Sequence, residues 1–172
     1  MAHVRDASRP SVDQALKEGS RIGLAPGGIA EMFEGYPKPG THPNEEYVIL
    51  NSRKGFVRMA IKHGVPLIPV YCFGSTKMFR RLELPALEHL SKLLRISICV
   101  FFGSWGLPMP FRQRLLYVMG SPLFPPNAGW NNTAEFDQHV DALHARFCNE
   151  LIALFDRHKE SYGWARKTLR VV

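Results

Sequence analysis

The sequence predicts an α/β domain with a mostly parallel sheet flanked by helices. Apolar runs of strand length alternate with helical patterns, and in one place a helix, a glycine and a strand follow each other as in half of a βαβ unit. The 172 residues, 45% hydrophobic and 22% charged, are sufficient for one folded domain. The chain contains no internal repeat and no low-complexity tract.

The first predicted elements are a helix, a strand and a loop. Ser11 is a suitable N-cap for a short amphipathic helix that stops at Gly19. The sequence RIGLA, residues 21–25, has the character of a buried strand and ends before Pro26. Residues 34–46 contain three prolines and two glycines, so we predict a loop there.

A helix and a buried strand are predicted after that loop. Apolar side chains recur at helical spacing between Arg53 and Lys62, and Gly64 is a natural C-terminal stop. The run VPLIPVYCF, residues 65–73, is almost continuously apolar and rich in β-branched side chains. Such a run is typical of a strand that is buried on both faces.

The second half of the chain is predicted to alternate in the same way. Residues 84–95 have leucines along one side of a helix, and residues 114–123 form another buried strand. The uncharged run 96–111 is either a buried strand with a loop or a segment that lies in a membrane interface with Trp105 at headgroup depth. A long helix is predicted over about residues 133–158.

Charge and cysteine content limit the classes of function. The 22 Lys and Arg against 15 Asp and Glu give a net charge of +7, which suits phosphate groups, anionic lipid or nucleic acid. No nucleic-acid-binding motif accompanies this charge, so nucleic acid is not an expected partner. The three cysteines are widely spaced, which indicates a reducing compartment, and neither a metal nor a cofactor is predicted.

The sequence lacks the motifs of common catalytic classes. None of the seven histidines is followed by aspartate at the fifth position, a spacing that would let a carboxylate orient an imidazole base. His42 and Pro43 lack the second histidine and the glycine of a His-Pro-His-Gly motif. No G-x-S-x-G, P-loop or G-x-G-x-x-G pattern is present. No catalytic residue is therefore predicted within the chain.

Two stretches are compatible with substrate contact. Gly27 and Gly28 followed by Glu31 suit either the floor of an active site or an ordinary turn. The helix of residues 53–62 has a basic face that suits either phosphate binding or simple solvation. The cations of this face are Arg53, Lys54, Arg58 and Lys62.

Four blocks then occur in a known order. They are GSRIGLAPGGIAEM, NSRKGFVRMAIKHGVPLIPVYCFG, FFGSWGLPMPFRQRLLYVMGSPLFPP and the helical FDQHVDALHARFCNELIALFDRHKESYG. With these blocks the chain resembles the type-2 diacylglycerol acyltransferase family, which includes monoacylglycerol and wax-ester acyltransferases. The resemblance implies a glycerolipid-acyltransferase-like fold, incomplete at its N-terminus, with residues 1–172 as the C-terminal part of a single acyltransferase domain.

The resemblance also implies a function. A fatty acyl group would pass from acyl-CoA, the co-substrate, to diacylglycerol or a related acceptor, at the cytosolic face of the endoplasmic reticulum membrane. The family's histidine base lies in a His-Pro-His-Gly motif upstream of this chain, which is why no catalytic residue is assigned. The alternative is a catalytically inactive, truncated, membrane-associated module that binds acyl-CoA or a partner acyltransferase. Oligomer formation is left open.

Three groups of residues receive substrate-binding roles from the resemblance. In the first group, two glycines let the backbone approach the substrate, and an acid helps to hold the acyl acceptor. The second is the RKGFVR block, whose cations would meet coenzyme A phosphates. The third group lies at the end of the apolar strand. It is followed by Ser75, at a position where the family usually has an acid. The groups are Gly27, Gly28 and Glu31; Arg53, Lys54, Gly55, Phe56 and Arg58; and Phe73 and Gly74.

Overall fold

A computed structural model describes residues 8–27, 42–82, 100–126 and 132–172. Within these ranges the chain forms three α-helices, six short strands and two 3₁₀ turns. The helices are α1 (Arg9–Lys17), α2 (Gly55–His63) and α3 (Thr133–Tyr162). The strands are β1 (Glu45–Val48), β2 (Val70–Phe73), β3 (Arg80–Leu82), β4 (Val100–Phe102), β5 (Leu116–Met119) and β6 (Thr168–Val171), and the 3₁₀ turns are Ser75–Lys77 and Ser104–Gly106.

The strands of the described ranges pair two by two. β1 and β6 are parallel, with Glu45 opposite Thr168. β2 pairs with β5, and β3 with β4, in antiparallel register. Parallel and antiparallel pairs therefore both occur here, and a mostly parallel sheet stays a prediction for the domain as a whole.

The long helix α3 is the element that the sequence predicts best. It begins at Thr133 as predicted, because the Asn132 side chain accepts a hydrogen bond of 2.8 Å from the backbone N–H of Glu135. It continues four residues past the predicted end, to Tyr162, and stops at Gly163, which has φ +93°. Its buried apolar side chains follow the predicted spacing and include Val140, Leu143, Phe147, Leu151 and Leu154.

The two shorter helices are also confirmed, with bounds that differ by one to three residues. α1 begins at Arg9 rather than after Ser11, because Pro10 is well suited to the first turn of a helix. Gly19, with φ +74°, follows the end of α1 as predicted. α2 ends before Gly64, which adopts the left-handed conformation with φ +64° that favours glycine.

The predicted strand over residues 21–25 is wrong. These residues pair with no strand among the described parts of the chain, and Leu24 is exposed. An apolar run needs both a pairing partner and a buried face to form a stable strand, and neither is present here. The predicted loop 34–46 is only partly described, and it ends before Glu45, where β1 begins.

The apolar runs 65–73 and 114–123 are not buried on both faces as predicted. They form the antiparallel pair β2–β5, extended by an isolated pairing of Leu67 with Leu123. Successive side chains of an antiparallel strand point to opposite faces, so one face packs on the core and the other lies outside. The inner face contains Tyr71, Phe73 and Val118, whereas Val70, Tyr117 and Met119 are exposed.

The described part of the uncharged run 96–111 forms a short strand and a 3₁₀ turn. Its first residues, and the predicted helix 84–95, lie outside the described residues. Val100–Phe102 forms β4, and the 3₁₀ turn Ser104–Gly106 follows it. This order agrees with the alternative of a strand and a loop, and the loop itself is not buried, because the side chains of Trp105, Leu107 and Met109 are exposed.

An aromatic core joins α3 to the strands. The Phe73 ring stacks on the Phe155 ring at a centroid distance of 5.2 Å, and Trp164 packs against both rings. Cys148 is a buried, free thiol beside this core and packs there as a small apolar residue. Burial raises the pKa of the Cys148 thiol above its ordinary value.

Candidate functional site

The RKGFVR block forms the N-terminal end of α2 and packs against α3. Lys54 occupies the N-cap position, and the exposed Gly55 begins the helix. The Phe56 ring contacts the Phe147 ring of α3 edge to face, with 5.0 Å between the centroids. This aromatic contact fixes the orientation of the block relative to α3.

Two cations of the block make ion pairs with α3. Lys54 Nζ lies 2.7 Å from Asp141 Oδ1, and the Lys54 ammonium holds the pKa of Asp141 below its usual value. Arg58 Nη1 lies 2.7 Å from Asp137 Oδ1. Arg53 is exposed and has no acidic partner within the described parts of the chain. Within the described residues the block therefore presents one cation without a counter-charge and two that are paired with acids of α3.

Phe73 and Gly74 lie at the opposite end of α3. Phe73 is completely buried in the aromatic core. Gly74 has φ +86° and is packed so closely that an added Cβ would lie 2.2 Å from the Tyr162 hydroxyl oxygen. Both positions are thus closely fitted to their surroundings in this fold.

The structure does not bring all the proposed substrate-binding residues together. Asp141 and Tyr162, which mark the contacts of Lys54 and Gly74 with α3, are about 30 Å apart along the helix at a rise of 1.5 Å per residue. The cations of the block and Gly74 therefore belong to different regions. Gly27 is buried, and Gly28 and Glu31 lie outside the described residues.

A buried carboxylate that the sequence did not single out lies close to the Gly74 turn. Glu46, at the inner face of β1, is 4% exposed and forms an ion pair with Lys167. The Thr76 hydroxyl donates a hydrogen bond of 2.9 Å to the other carboxylate oxygen. The Lys167 ammonium also lies 4.5 Å from the centre of the Trp164 ring. Glu46 thereby connects β1 to the 3₁₀ turn after Gly74 and to the segment before β6.

One His–Asp pair escapes a search by sequence spacing. His63 Nε2 at the end of α2 donates to Asp13 Oδ1 of α1 at 2.9 Å, across 50 positions of sequence. Asp13 also forms ion pairs with Lys17 and Lys62. The hydrogen bonds from Lys17, Lys62 and His63, in that order, hold the pKa of the Asp13 carboxyl well below its usual range. The pair is part of a network that joins α1 to α2.

This network predicts a dependence of stability on pH. An unperturbed aspartate has a pKa of about 3.9, so unfolded chains take up a proton at Asp13 as the pH falls through this value while folded chains do not. The contribution of Asp13 is therefore present above the unfolded pKa and lost in acid. Between about pH 5 and pH 3, the urea midpoint of Asp13→Asn should fall less steeply than that of the wild type.

The matched control for this prediction is Asp156→Asn. Asp156 is exposed and, within the described residues, contacts only Lys159, 2.6 Å away in the same helix. Its removal deletes one acid without breaking a contact between helices. An Asp13→Asn profile that parallels both the wild type and Asp156→Asn would contradict the proposed role of Asp13.

Two kinds of feature are absent from the described residues. In these ranges no group of three or more His, Cys, Asp or Glu side chains is arranged to hold a metal ion. Nor does any of the described helices combine the length and the apolar character required to span a bilayer.

Comparison with known proteins gives the family. The family model described as diacylglycerol acyltransferase matches residues 1–172. The chain belongs to the diacylglycerol acyltransferase family. This result confirms the resemblance to the family that the four sequence blocks indicated.

Relatives within the family are named for several acyl acceptors. Diacylglycerol O-acyltransferase 2-like protein 6 of Bos taurus is 37% identical over 162 residues, which cover 84% of this chain and 45% of that protein. The human 2-acylglycerol O-acyltransferase 3 is 34% identical over 173 residues, covering 91% and 48%. The human acyl-CoA wax alcohol acyltransferase 2 is 33% identical over 172 residues, covering 91% and 48%. The chain thus spans about half the length of these curated relatives, and no solved structure matches it.

Proposed function

We propose that this chain is the C-terminal region of an acyltransferase that moves a fatty acyl group from acyl-CoA to the free hydroxyl of diacylglycerol, giving triacylglycerol. The observation that carries the proposal is the family match over residues 1–172. The relatives described above are all named as acyltransferases, and they differ in the acceptor that their names give. We choose diacylglycerol because the description of the family names it.

The N-terminal end of α2 is the proposed contact for coenzyme A phosphates. Arg53 is exposed there without an acidic partner in the described ranges, and its guanidinium can bind a phosphate with two parallel hydrogen bonds. Gly55 has no side chain to cover the first backbone amides, and the first turn of α2 contains no acid. A helix N-terminus with these features attracts anions through its free N–H groups and its dipole.

Lys54 and Arg58 extend this contact. Their ion pairs with Asp141 and Asp137 join side chains that are between 39% and 62% exposed, although the Oδ1 atom of Asp137 is itself buried. Exposed ion pairs contribute little to stability because water and salt screen them. A phosphate at the helix end therefore competes for the same cations at small cost.

The remaining roles follow the family. Gly27, Gly28 and Glu31 are proposed to contact the acyl acceptor, and a histidine outside residues 1–172 is proposed as the general base that takes the proton of its hydroxyl. Because the acceptor is a lipid, we propose the endoplasmic reticulum membrane, at its cytosolic face, as the place of the reaction. The reaction needs no metal or cofactor in this proposal.

The phosphate contact is tested by Arg53→Ala. The complete open reading frame is expressed in a host that lacks triacylglycerol synthesis, and transfer from labelled oleoyl-CoA to diacylglycerol is measured in its membranes. Losing one charge-assisted hydrogen bond should raise KM for acyl-CoA about tenfold and leave kcat within about twofold, because this contact binds substrate and transition state equally.

The matched control is Arg146→Ala. Arg146 is exposed on α3 and has no acidic partner among the described residues, so its loss changes the net charge equally at another place. Its KM should be that of the wild type. Equal KM values for the two variants would show that Arg53 does not contact the substrate. A lack of transfer by the wild-type protein would refute the proposed function itself.

A further inference from the structure

The loop between β4 and β5 exposes an unusual set of apolar side chains. Trp105 is 91% exposed, Leu107 53% and Met109 52%. Large apolar side chains that are exposed in a group, rather than singly, mark a surface that contacts another molecule or a membrane. We call residues 103–114 the Trp105 loop.

The shape of the Trp105 loop is fixed by its own backbone. The N–H of Gly103 donates to the Leu107 carbonyl at 2.8 Å, and the N–H of Ser104 donates to the Met109 carbonyl at 2.8 Å. A Cβ on Gly103 would lie 1.8 Å from the Met109 carbonyl oxygen, so the loop closes as tightly as a glycine allows. The exposed side chains are therefore held outward by a defined structure.

Trp105 occupies an unusual position within this structure. Its φ of +64° lies in the left-handed region, where a bulky side chain is rare. The N–H of Phe111 donates to the Met78 carbonyl at 2.7 Å and attaches the far end of the loop to the body of the protein. A strained residue that a closed loop presents to solvent is typical of a functional contact.

The charged side chains in the sequence of the loop are all basic. The sequence contains no Asp or Glu between Glu88 and Glu135, whereas Arg112 and Arg114 directly follow the apolar tip. Arg112 is exposed and has no acidic partner in the described parts of the chain. Apolar side chains with cations at their base are complementary to an anionic lipid leaflet, in which tryptophan occupies the headgroup level.

We propose that the Trp105 loop is a membrane-contact element. It places Trp105, Leu107 and Met109 in the interface of an anionic leaflet, with Arg112 and Arg114 beside the lipid phosphates. The inference rests on the proposed function for the membrane setting, and it adds the surface by which the protein meets that membrane. The alternative occupant is a second copy of the chain, and the test distinguishes it by self-association.

The test is sedimentation of the purified 172-residue chain with vesicles. Vesicles of phosphatidylcholine alone are compared with vesicles that contain about 30% phosphatidylserine. Replacing Trp105, Leu107 and Met109 together by serine should lower the vesicle-bound fraction of the chain on the anionic vesicles about tenfold or more. Arg112→Gln should lower the preference for anionic over neutral vesicles, because its cation no longer meets phosphate.

Leu24→Ser is the matched control. Leu24 is 45% exposed and belongs neither to the Trp105 loop nor to the exposed face of β2 and β5, so the variant removes an exposed apolar side chain elsewhere. It should bind vesicles like the wild type. A second measurement uses Trp105 itself: its fluorescence, taken as the difference between wild type and Trp105→Phe, should be quenched by lipids brominated near the headgroup. This readout does not depend on whether the triple variant folds.

Three results would overturn the proposal. They are equal vesicle binding by the triple variant and wild type, no quenching of Trp105 by brominated lipid, and a loss of self-association in the triple variant without a loss of vesicle binding. The last result would mean that the loop contacts a second copy of the chain rather than a membrane. Vesicle binding needs no acyl-CoA, so a failure of acyl transfer with intact binding would refute only the proposed function.

Discussion

Replacing Gly74 by alanine should lower the free energy of unfolding by about 2–5 kcal/mol, the sum of left-handed strain and overpacking. Gly74 has φ +86°, which costs any residue with a Cβ. The added Cβ would also lie 2.2 Å from the Tyr162 hydroxyl oxygen and 2.5 Å from the Arg114 carbonyl oxygen. Relief of the second contact requires a backbone shift between β2 and the segment before β5.

Urea unfolding, followed by tryptophan fluorescence, measures this effect. The matched control is Gly64→Ala, because Gly64 has a similar φ of +64° but nothing within 4 Å of its added Cβ. It should cost about 1–2 kcal/mol, the strain alone. Equal losses in the two variants would show that the contacts around Gly74 are looser than described.

Glu46→Gln should lower the free energy of unfolding by about 3 kcal/mol, the usual cost of breaking a buried ion pair from one side. The side chains of Glu46 and Lys167 are 5% and 15% exposed. Glutamine can keep the hydrogen bond from Thr76 but leaves the Lys167 ammonium without its counter-charge. The decrease in stability should therefore come from the unpaired charge of Lys167 rather than from a change in packing.

A double variant separates these two causes. Glu46→Gln combined with Lys167→Met removes both charges at similar volume and should recover most of the lost stability. Glu45→Gln is the control on the outward face of the same strand, where the carboxylate meets Arg170 near solvent, and its effect should be much smaller. A double variant no more stable than Glu46→Gln would mean that the carboxylate acts through packing.

Helices were predictable because their signals are local. The spacing of apolar side chains and the glycine after the last turn are read directly from a short window, as at Gly64. The start of α3 at Thr133 depends only on a capping side chain, Asn132, that accepts a hydrogen bond from the backbone N–H three residues later. No distant part of the chain is needed to find these elements, so their bounds agree with the structure within a few residues.

Strands were harder to predict because their partners are distant. β1 contains two consecutive acids and does not resemble a strand until Glu46 meets Lys167, 121 positions later. Its partner β6 follows the last helix and has no apolar run of its own. The apolar strand β5 was found, but a sequence cannot show that the side chains of Tyr117 and Met119 face outward.

The candidate site was predictable only in part. The RKGFVR block is recognised by its residues, but the partners of its cations, Asp137 and Asp141, lie on another helix. They meet because Phe56 packs on Phe147, which is a tertiary contact. Which cation remains without a counter-charge therefore follows from the packing of α2 on α3, and the sequence alone did not distinguish Arg53 from its neighbours.

The most direct test of the proposed acyl transfer is a comparison of acceptors. Membranes from a host that lacks triacylglycerol synthesis, expressing the complete open reading frame, receive labelled oleoyl-CoA with diacylglycerol, monoacylglycerol or a fatty alcohol. Of the three acceptors, we expect diacylglycerol to give the fastest formation of labelled product, which is triacylglycerol. Faster formation of product with monoacylglycerol or with the fatty alcohol would contradict diacylglycerol as the acceptor. No labelled product with any of the three, when the protein is present and a human relative is active under the same conditions, would contradict the acyl transfer itself.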